Sequence, residues 1–262
     1  MRSGDTCTEE AGQYGDVPDP TPQPRADSPR DGGPYDRVLE RLGRRVVDGE
    51  LPPGTVLALE GIAAEHGVSR TVAREVVRVL ESLNLLVSRR RVGVVVRPRE
   101  QWTVLDPRIV RWRLAGPGRQ AQLLALSELR LAVEPVAAAL AARHATPEQC
   151  GALVEAVVGM TVTARTPDLT AYLQHDARFH RTLLGATAND AFAALAGTLT
   201  EVLAGRTEHR LMPARPAAQA IAWHREVAEA VSVGDADAAE DAMRSIVREA
   251  TAAMAAASAP GA

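Results

Sequence analysis

The stretch from Glu60 to Glu81, EGIAAEHGVSRTVAREVVRVLE, constrains the fold of this chain more than any other. Three apolar residues, Ile62 to Ala64, indicate a short first helix, and His66-Gly67-Val68 is typical of a tight bend. Ser69 then has the side chain that most often caps the start of a helix. The pattern predicts two short helices joined by a sharp turn.

The second of these helices has two different faces. Its apolar residues fall at helical spacing on one side, and Arg70, Arg74 and Arg78 recur every four residues on another. In a helix-turn-helix the second helix enters the DNA major groove, where Arg can pair with guanine. An ordinary surface helix with a solvated Arg face has the same pattern. The apolar residues are Val72, Val76, Val79 and Leu80.

The flanking segments favour the DNA-binding alternative. Before the stretch, an apolar stripe from Val38 to Val47 predicts a helix, and Leu51-Pro52-Pro53-Gly54 predicts a turn. After it, Leu85 to Val87 and Gly93 to Val96 surround three consecutive Arg residues, which predicts a two-stranded hairpin with a basic tip. A helix, a helix-turn-helix and a hairpin make a winged helix, whose wing can reach phosphates or the minor groove.

Charge and composition agree with a DNA-binding domain attached to a second, acidic part. The formal net charge is −3, yet the segment from Arg37 to Arg99 has twelve Arg against seven acidic residues. A chain of 262 residues with 46% hydrophobic and 24% charged residues suits a soluble protein of two domains. Two cysteines, Cys7 and Cys150, do not suggest a disulfide framework. No apolar run approaches the length of a membrane span or a signal peptide, so we expect a cytoplasmic protein with no membrane partner.

The predicted fold class is mainly α, with an N-terminal winged helix-turn-helix followed by an all-α helical bundle. The aromatic content of 3% and the abundant Ala favour closely packed helices after residue 119. The predicted domains are a disordered acidic tail (1–34), the winged helix (35–99), a linker with a short helix (100–118), a helical effector-binding and dimerisation domain (119–256) and a C-terminal tail (257–262). The predicted bundle helices are 120–144, 147–163, 167–186, 190–206, 216–232 and 235–256.

Asp176 and His180 are the clearest candidates for a site in the bundle. They are four residues apart, so both side chains project from one face of a helix. With His224 from another helix they would offer one oxygen and two nitrogens, a set suited to Zn²⁺ or a similar divalent metal. An exposed pair or a hydrogen-bonded core histidine is the alternative. Arg130 can pair with Glu134 or Glu128, and Trp223 can pack or stack on a ligand.

The N-terminal half resembles the GntR family of bacterial transcription regulators. The resemblance lies in DGELPPGTVL (48–57), GVSRTVAREVVRVLESLNLL (67–86) and the wing ending at Gly93 and Val96. It implies contacts with double-stranded operator DNA from the recognition helix and the wing. Leu59-Glu60 departs from the Glu-Arg of the family, which removes one expected DNA contact. The DNA-binding residues so predicted are Ser69, Arg70, Thr71, Arg74, Arg89, Arg90, Arg91 and Gly93.

The C-terminal half resembles the FCD ligand-sensing domain of the FadR branch of that family. The matching segments are SELRLAVEPVAAALAARHAT (127–146), HDARFHRTLLGATAN (175–189) and WHREVAEAVSVGDADAAEDAM (223–243). The resemblance implies a divalent metal, zinc first, on Asp176, His180 and His224. Ile246 stands where the family has a fourth ligand, so water or the effector would complete the shell. It also implies effector contacts from Arg130, as a carboxylate clamp, and from Trp223.

A linker segment, RPREQWTVLDPRIVRW, resembles the galactonate-responsive, DgoR-like branch. Together these resemblances predict a homodimeric repressor of a sugar-acid catabolic operon that is released by a small carboxylate effector. Ile246 motivates an alternative, a metal-free FadR-like regulator that senses a larger apolar ligand such as an acyl-CoA. A metal hydrolase is a third reading. We expect no enzymatic activity, because the sequence places no acid beside His180 as an obvious general base. A fourth reading is a dimerisation scaffold that does not bind DNA.

Overall fold

A computed structural model of the chain describes residues 33–166, 169–208 and 217–257. Most of the acidic tail predicted for residues 1–34, and residues 258–262 of the predicted C-terminal tail, lie outside the described residues. Within the described part of the chain, no helix is both long enough and apolar enough to cross a membrane.

The N-terminal elements follow the order expected of a winged helix. They are α1 (Pro34–Val47), β1 (Val56–Leu57), α2 (Leu59–His66), α3 (Arg70–Ser82), β2 (Leu86–Arg89) and β3 (Gly93–Val96), with a 3₁₀ turn at Arg99–Gln101. Gly67 ends α2 in the left-handed conformation with φ of 61°, which glycine adopts without strain. The backbone N–H of Val72 donates to Oγ of Ser69 at 3.2 Å, so Ser69 caps α3 as predicted.

The buried face of α3 is wider than the predicted apolar stripe. Val76 and Leu80 are fully buried, but Val72 and Val79 are only half-buried. Ala73 and Val77 are buried instead, because α3 packs against both α1 and α2. Arg70, Arg74 and Arg78 remain exposed.

The wing is part of a three-stranded sheet, so the predicted two-stranded hairpin was incomplete. The strand order is β1-β3-β2, both pairs are antiparallel, and Val95 pairs with Val56 on one side and Val87 on the other. Strand β1 has only two residues, which is too few to show the alternation of apolar and polar residues that predicts a strand. Gly93 has φ of 124°, and a Cβ there would lie 2.8 Å from the carbonyl oxygen of Leu57, so a side chain would obstruct this pairing.

The rest of the described chain is helical. The helices are α4 (Pro107–Ala115), α5 (Arg119–His144), α6 (Pro147–Thr163), α7 (Leu169–Gly185), α8 (Asp190–Ala193), α9 (Ala196–Glu208), α10 (Ala218–Val233) and α11 (Ala236–Ala257). The predicted capping box is present at Thr146 and Gln149. The single helix predicted for residues 190–206 is divided into α8 and α9, and no proline or glycine at 194–195 signals the break.

The two largest apolar cores lie in the winged helix and in the bundle. The core of the winged helix includes Leu42, Leu80 and Leu85, and Trp112 of α4 is buried in it. The core of the bundle includes Phe179, Val227 and Ile246, from α7, α10 and α11. Helix α4 packs against α1, α5 and α9, so it joins the winged helix to the bundle.

Candidate metal centre and nucleic-acid interface

Asp176, His180 and His224 come together in the bundle core. Asp176 and His180 lie one turn apart on α7, and His224 is supplied by α10. Oδ1 of Asp176 lies 3.5 Å from Nε2 of His180 and 3.3 Å from Nε2 of His224. One ligand atom from each of the three buried side chains falls within 4.8 Å of the others. The three residues predicted as metal ligands therefore converge on one point.

The other nitrogen of each imidazole is held by an oxygen. Nδ1 of His224 lies 2.7 Å from the carbonyl oxygen of Ala220, which can only accept a hydrogen bond, so Nδ1 carries the proton. Nε2 of His224 then faces Oδ1 of Asp176 without a hydrogen-bond partner among the described residues. Nδ1 of His180 lies 2.7 Å from Oε2 of Glu134, although the N–H does not point straight at that oxygen. Both Nε2 atoms thus face the Asp176 carboxylate, as metal-bound histidines do.

The electrostatics of the cluster favour a positive charge between two carboxylates. Burial opposes ionisation of Asp176, but the nearby His180 and His224 rings hold its pKa well below the ordinary value. Burial also opposes protonation of His180, but Glu134 and Asp176 together raise its pKa to about 9. A divalent cation bound to Nε2 would take the place of that proton. One carboxylate oxygen and two imidazole nitrogens fit Zn²⁺, which takes such ligands.

Glu134 links the cluster to Arg130. Arg130 donates to Glu134 through Nε, and its Nη2 lies 3.3 Å from Oε2 of the same carboxylate. Burial would raise the pKa of Glu134, but the charges of Arg130 and His180 lower it to about 2. Of the alternatives open in the sequence, Arg130 makes the ion pair with Glu134. Its predicted contact with an effector carboxylate stays a prediction.

The position of Glu134 contradicts one argument against a hydrolase, namely that no acid lies beside His180. An acid does lie beside His180, which the sequence did not reveal because Glu134 belongs to α5. It contacts Nδ1 rather than the side of the ring that faces Asp176, and a carboxyl with a pKa of about 2 is a weak general base. The expectation that no acid lies beside His180 was therefore wrong.

The surroundings of the cluster are apolar except for a few buried polar groups. The ring of Phe179 lies edge-on to His224 with centroids 4.9 Å apart. Ile246 is buried among apolar side chains of the bundle, and Trp223 is half-buried and packs against the same core. Trp223 therefore makes the packing contact left open in sequence, and stacking on a ligand stays a prediction.

Two further buried residues near Asp176 carried no sequence signal. Tyr172 is one turn before Asp176 on α7, and burial together with the Asp176 charge raises its pKa above the ordinary value. Arg206 is only 5% exposed, and its Nε has no hydrogen-bond partner among the described residues. Burial and the neighbouring charge of Arg130 lower the pKa of Arg206. Only the three-dimensional packing of α9 against α7 brings Arg206 to this site.

The predicted DNA-contact residues form an exposed basic surface. Arg70, Thr71 and Arg74 are exposed on the first turns of α3, behind the cap residue Ser69. Nη1 of Arg70 lies 3.6 Å from Oε1 of Glu60, so the acid that departs from the family pattern faces a recognition-helix arginine. The exposed wing residues are Arg89, Arg90 and Arg91, followed by Gly93.

A cleft separates the recognition helix from the wing. It has a volume of about 550 Å³, and Arg74, Arg78, Arg89 and Arg91 are among the residues that line it. Arg78 is paired with Glu75 at 2.8 Å, whereas Arg74 has an exposed side chain at the same opening. Arginines at such a cleft suit the phosphates of a duplex.

Comparison with known proteins places both halves of the chain in one family. Residues 34–96 match the model of bacterial regulatory proteins of the gntR family, and residues 125–249 match the FCD domain. The galactonate operon transcriptional repressor of Escherichia coli (strain K12) is 30% identical over 223 residues, which are 82% of this chain and 94% of that protein. The probable D-xylose utilization operon transcriptional repressor of Paenarthrobacter nicotinovorans is 30% identical over 213 residues, 79% of this chain and 82% of that protein.

Solved structures agree on the fold. Lar, which controls the expression of the Listeria monocytogenes agr system and mediates virulence, matches with a TM-score of 0.54 at 19% identity, over 85% of this chain and 96% of its own. E. coli McbR/YncC matches with a TM-score of 0.50 at 19% identity, over 86% of this chain and 99% of its own. The winged helix, the helical bundle and the sequence relatives lead to one conclusion: the chain belongs to the gntR family of bacterial regulatory proteins and carries an FCD domain after its DNA-binding domain.

Proposed function

We propose that this protein is a cytoplasmic, homodimeric repressor of a sugar-acid catabolic operon. It binds double-stranded operator DNA through α3 and the wing. A small carboxylate effector, galactonate-like in chemistry, binds at a divalent metal in the helical bundle and weakens the hold on the operator. Homodimerisation follows from the two-fold symmetry of operator half-sites.

One observation carries the effector part of this proposal. Three buried side chains, Asp176, His180 and His224, face each other with two imidazole nitrogens directed at one carboxylate oxygen. Buried polar atoms without a partner are costly, and a bound cation would satisfy them. Zinc would act as a Lewis acid toward carboxylate and hydroxyl oxygens of a sugar acid. The name of one relative, the galactonate operon transcriptional repressor, supports this class of effector.

The contacts of α9 support a route from the bundle to the DNA-binding domain. At one side of α9, Thr198 donates to the carbonyl oxygen of Leu105, just before α4, and Glu201 lies 3.4 Å from Nη1 of Arg111 on α4. Arg111 also contacts Glu40 of α1, at 3.1 Å. A ligand that favours one position of α9 over another can therefore bias α4 and α1. Differential affinity for two such states is the thermodynamic requirement for release.

A second candidate rests on Ile246. This residue is 4% exposed within the apolar core of the bundle, where the family resemblance would place a fourth ligand. A site with one ligand fewer binds metal less tightly. Without metal, the protein would be a FadR-like regulator whose ligand is larger and apolar, such as an acyl-CoA.

Operator release measured with and without chelator separates these functions. The zinc-loaded protein is bound to a fluorescent fragment of its own promoter region and titrated with aldonates, D-galactonate among them. We expect one aldonate to weaken operator binding about 5- to 150-fold, the usual range of such coupling. EDTA should abolish the response, and Zn²⁺ should restore it.

Two variants sharpen this experiment. His224→Gln removes a candidate ligand and should lose both stoichiometric zinc and the aldonate response. His144→Gln removes an exposed histidine at the end of α5 and should behave as the unmodified protein does. An aldonate response that survives EDTA, or release by palmitoyl-CoA alone, contradicts the metal-centred function and favours the second candidate. Failure to bind the promoter contradicts both.

A further inference from the structure

Arg206 is the buried cation of the bundle whose charge is least well matched. Its side chain lies in the last turns of α9 and is 5% exposed. Nε has no hydrogen-bond partner, and within the described residues no carboxylate lies within 4.0 Å of this guanidinium. Guanidinium groups buried without a matching anion are costly, since they have lost water and gained no partner.

Arg206 differs in this respect from Arg130, the buried arginine of α5. The guanidinium of Arg130 is engaged with Glu134 through two of its nitrogens. Arg206 lies near enough to Arg130 and Asp176 for both of their charges to act on it. Arg206 lies on α9, which packs against the helix that carries Asp176 and His180, and its Nε still has a donor to offer.

We propose that Arg206 is the residue that receives the carboxylate of the effector, beside the metal-ligand cluster. This rests on the proposed function and deepens it, because it gives to Arg206 the clamp that the sequence suggested for Arg130. A carboxylate accepts two parallel hydrogen bonds from a guanidinium and would neutralise its charge. The hydroxyl of Tyr172, buried near the same charges, stays protonated and can also donate.

The proposal restricts the class of ligand. An anionic group must reach the buried guanidinium of Arg206, so the ligand is a small organic acid rather than a neutral sugar or an amine. Its carboxylate pairs with Arg206 while hydroxyl oxygens remain available to the metal. The neighbouring Gly205 supports a role in signalling, because a Cβ there would lie 2.8 Å from Cδ1 of Leu114 on α4.

The test is carboxylate-specific thermal stabilisation of the full-length, zinc-loaded protein. Melting is followed in sodium chloride, sodium acetate and D-galactonate at equal ionic strength, for the unmodified chain, Arg206→Gln, Arg206→Lys and Arg178→Gln. Arg178 is an exposed arginine of α7 paired with Glu155 and serves as the control. The readout is the gain in melting temperature over chloride, which a merely structural role of Arg206 would not change.

We expect the unmodified protein and Arg178→Gln to gain stability from D-galactonate. Arg206→Gln should require about 10- to 100-fold more of it, as expected for a lost hydrogen bond between charged groups. Arg206→Lys keeps the charge but lacks the two parallel N–H donors of a guanidinium, so it should require an intermediate concentration of D-galactonate. Equal gains in Arg206→Gln and the unmodified protein, or no gain from either carboxylate in the unmodified protein, would overturn the proposal.

Operator release and zinc affinity are measured on the same samples. They distinguish failure of the Arg206 proposal from failure of the proposed function. An Arg206-dependent stabilisation without operator release would leave the assignment of Arg206 standing and refute the sugar-acid trigger. Operator release that does not depend on Arg206 would refute the assignment of Arg206 and leave the sugar-acid trigger standing. Zinc titrated in chloride reports whether a variant has disturbed the cluster itself.

Discussion

Replacing Glu134 by Gln should destabilise the helical bundle far more than the same change at an exposed ion pair. Glu134 is fully buried and faces both Arg130 and His180. Its pKa falls from the ordinary 4.5 to about 2. That difference of about 2.5 pKa units, at about 1.4 kcal/mol each, corresponds to about 3.5 kcal/mol at neutral pH. Breaking a buried ion pair typically costs about 3–5 kcal/mol, in agreement with this figure.

The chain offers a matched control in Glu240→Gln. Glu240 and Arg244 form an i, i+4 pair on α11 at 2.5 Å, but their side chains are 35% and 33% exposed. Solvent screening should reduce the effect of this substitution to about 0.5 kcal/mol. Both variants are unfolded with urea and by heat, in EDTA so that metal binding does not contribute.

For a chain of this length, about 3 kcal/mol lowers the melting temperature by about 6–12 °C. The loss should also depend on pH. A carboxylate with a depressed pKa stabilises the fold fully above its unfolded value of 4.5, and this contribution disappears as the pH falls toward 2. The difference between Glu134→Gln and the unmodified protein should therefore be constant from pH 7 to 5 and shrink below. Equal shifts for Glu134→Gln and Glu240→Gln would refute the electrostatic reasoning.

Three further outcomes test the DNA-binding half. Gly43→Ala should cost about 1–3 kcal/mol despite the helix propensity of Ala, because the new Cβ would lie 2.5 Å from the Trp112 ring. The control Gly61→Ala, whose new Cβ has its nearest atom at 3.8 Å, should be neutral or stabilising. Equal shifts in melting temperature for the two variants would contradict the clash. Ser69→Ala should cost about 1 kcal/mol through loss of the cap on α3, seen in urea unfolding, and an unchanged midpoint would argue against a structural role for that oxygen. Arg74→Ala should weaken operator binding and lower the slope of its salt dependence by about one, measured by anisotropy at several salt concentrations, and unchanged affinity would count against the docking surface.

The fold class and the family could be predicted from the sequence because their signals are local. Ser69 as a cap, Gly67 at the turn, and the periodic apolar residues of the long helices each act over a few residues. The same is true of Asp176 and His180, whose four-residue spacing alone puts both on one face. Strand β1 escaped prediction because two residues show no alternation, and its pairing with β3 is a tertiary contact.

The polar groups behind the metal ligands could not be predicted in this way. Glu134 was recognised only as a partner for Arg130, and nothing in its position on α5 indicates contact with His180 on α7. Arg206 lies thirty positions beyond Asp176 and continues the buried stripe of Leu199, Val202 and Leu203, which indicates that it faces inward but not which helix it meets. Such contacts depend on how helices pack, which the periodicity of one helix does not specify.

The side chains of α9 face two different parts of the protein. Thr198, Glu201 and Gly205 follow one another at helical spacing and meet α4 or the residue Leu105 just before it, whereas Arg206, about 100° further round, is buried with no hydrogen-bond partner for Nε among the described residues. Substitutions around Arg206 can therefore be made while the contacts with α4 stay intact. An engineered change of ligand response can start from this separation, because residues on the Arg206 side of α9 can be varied while those that meet α4 are kept.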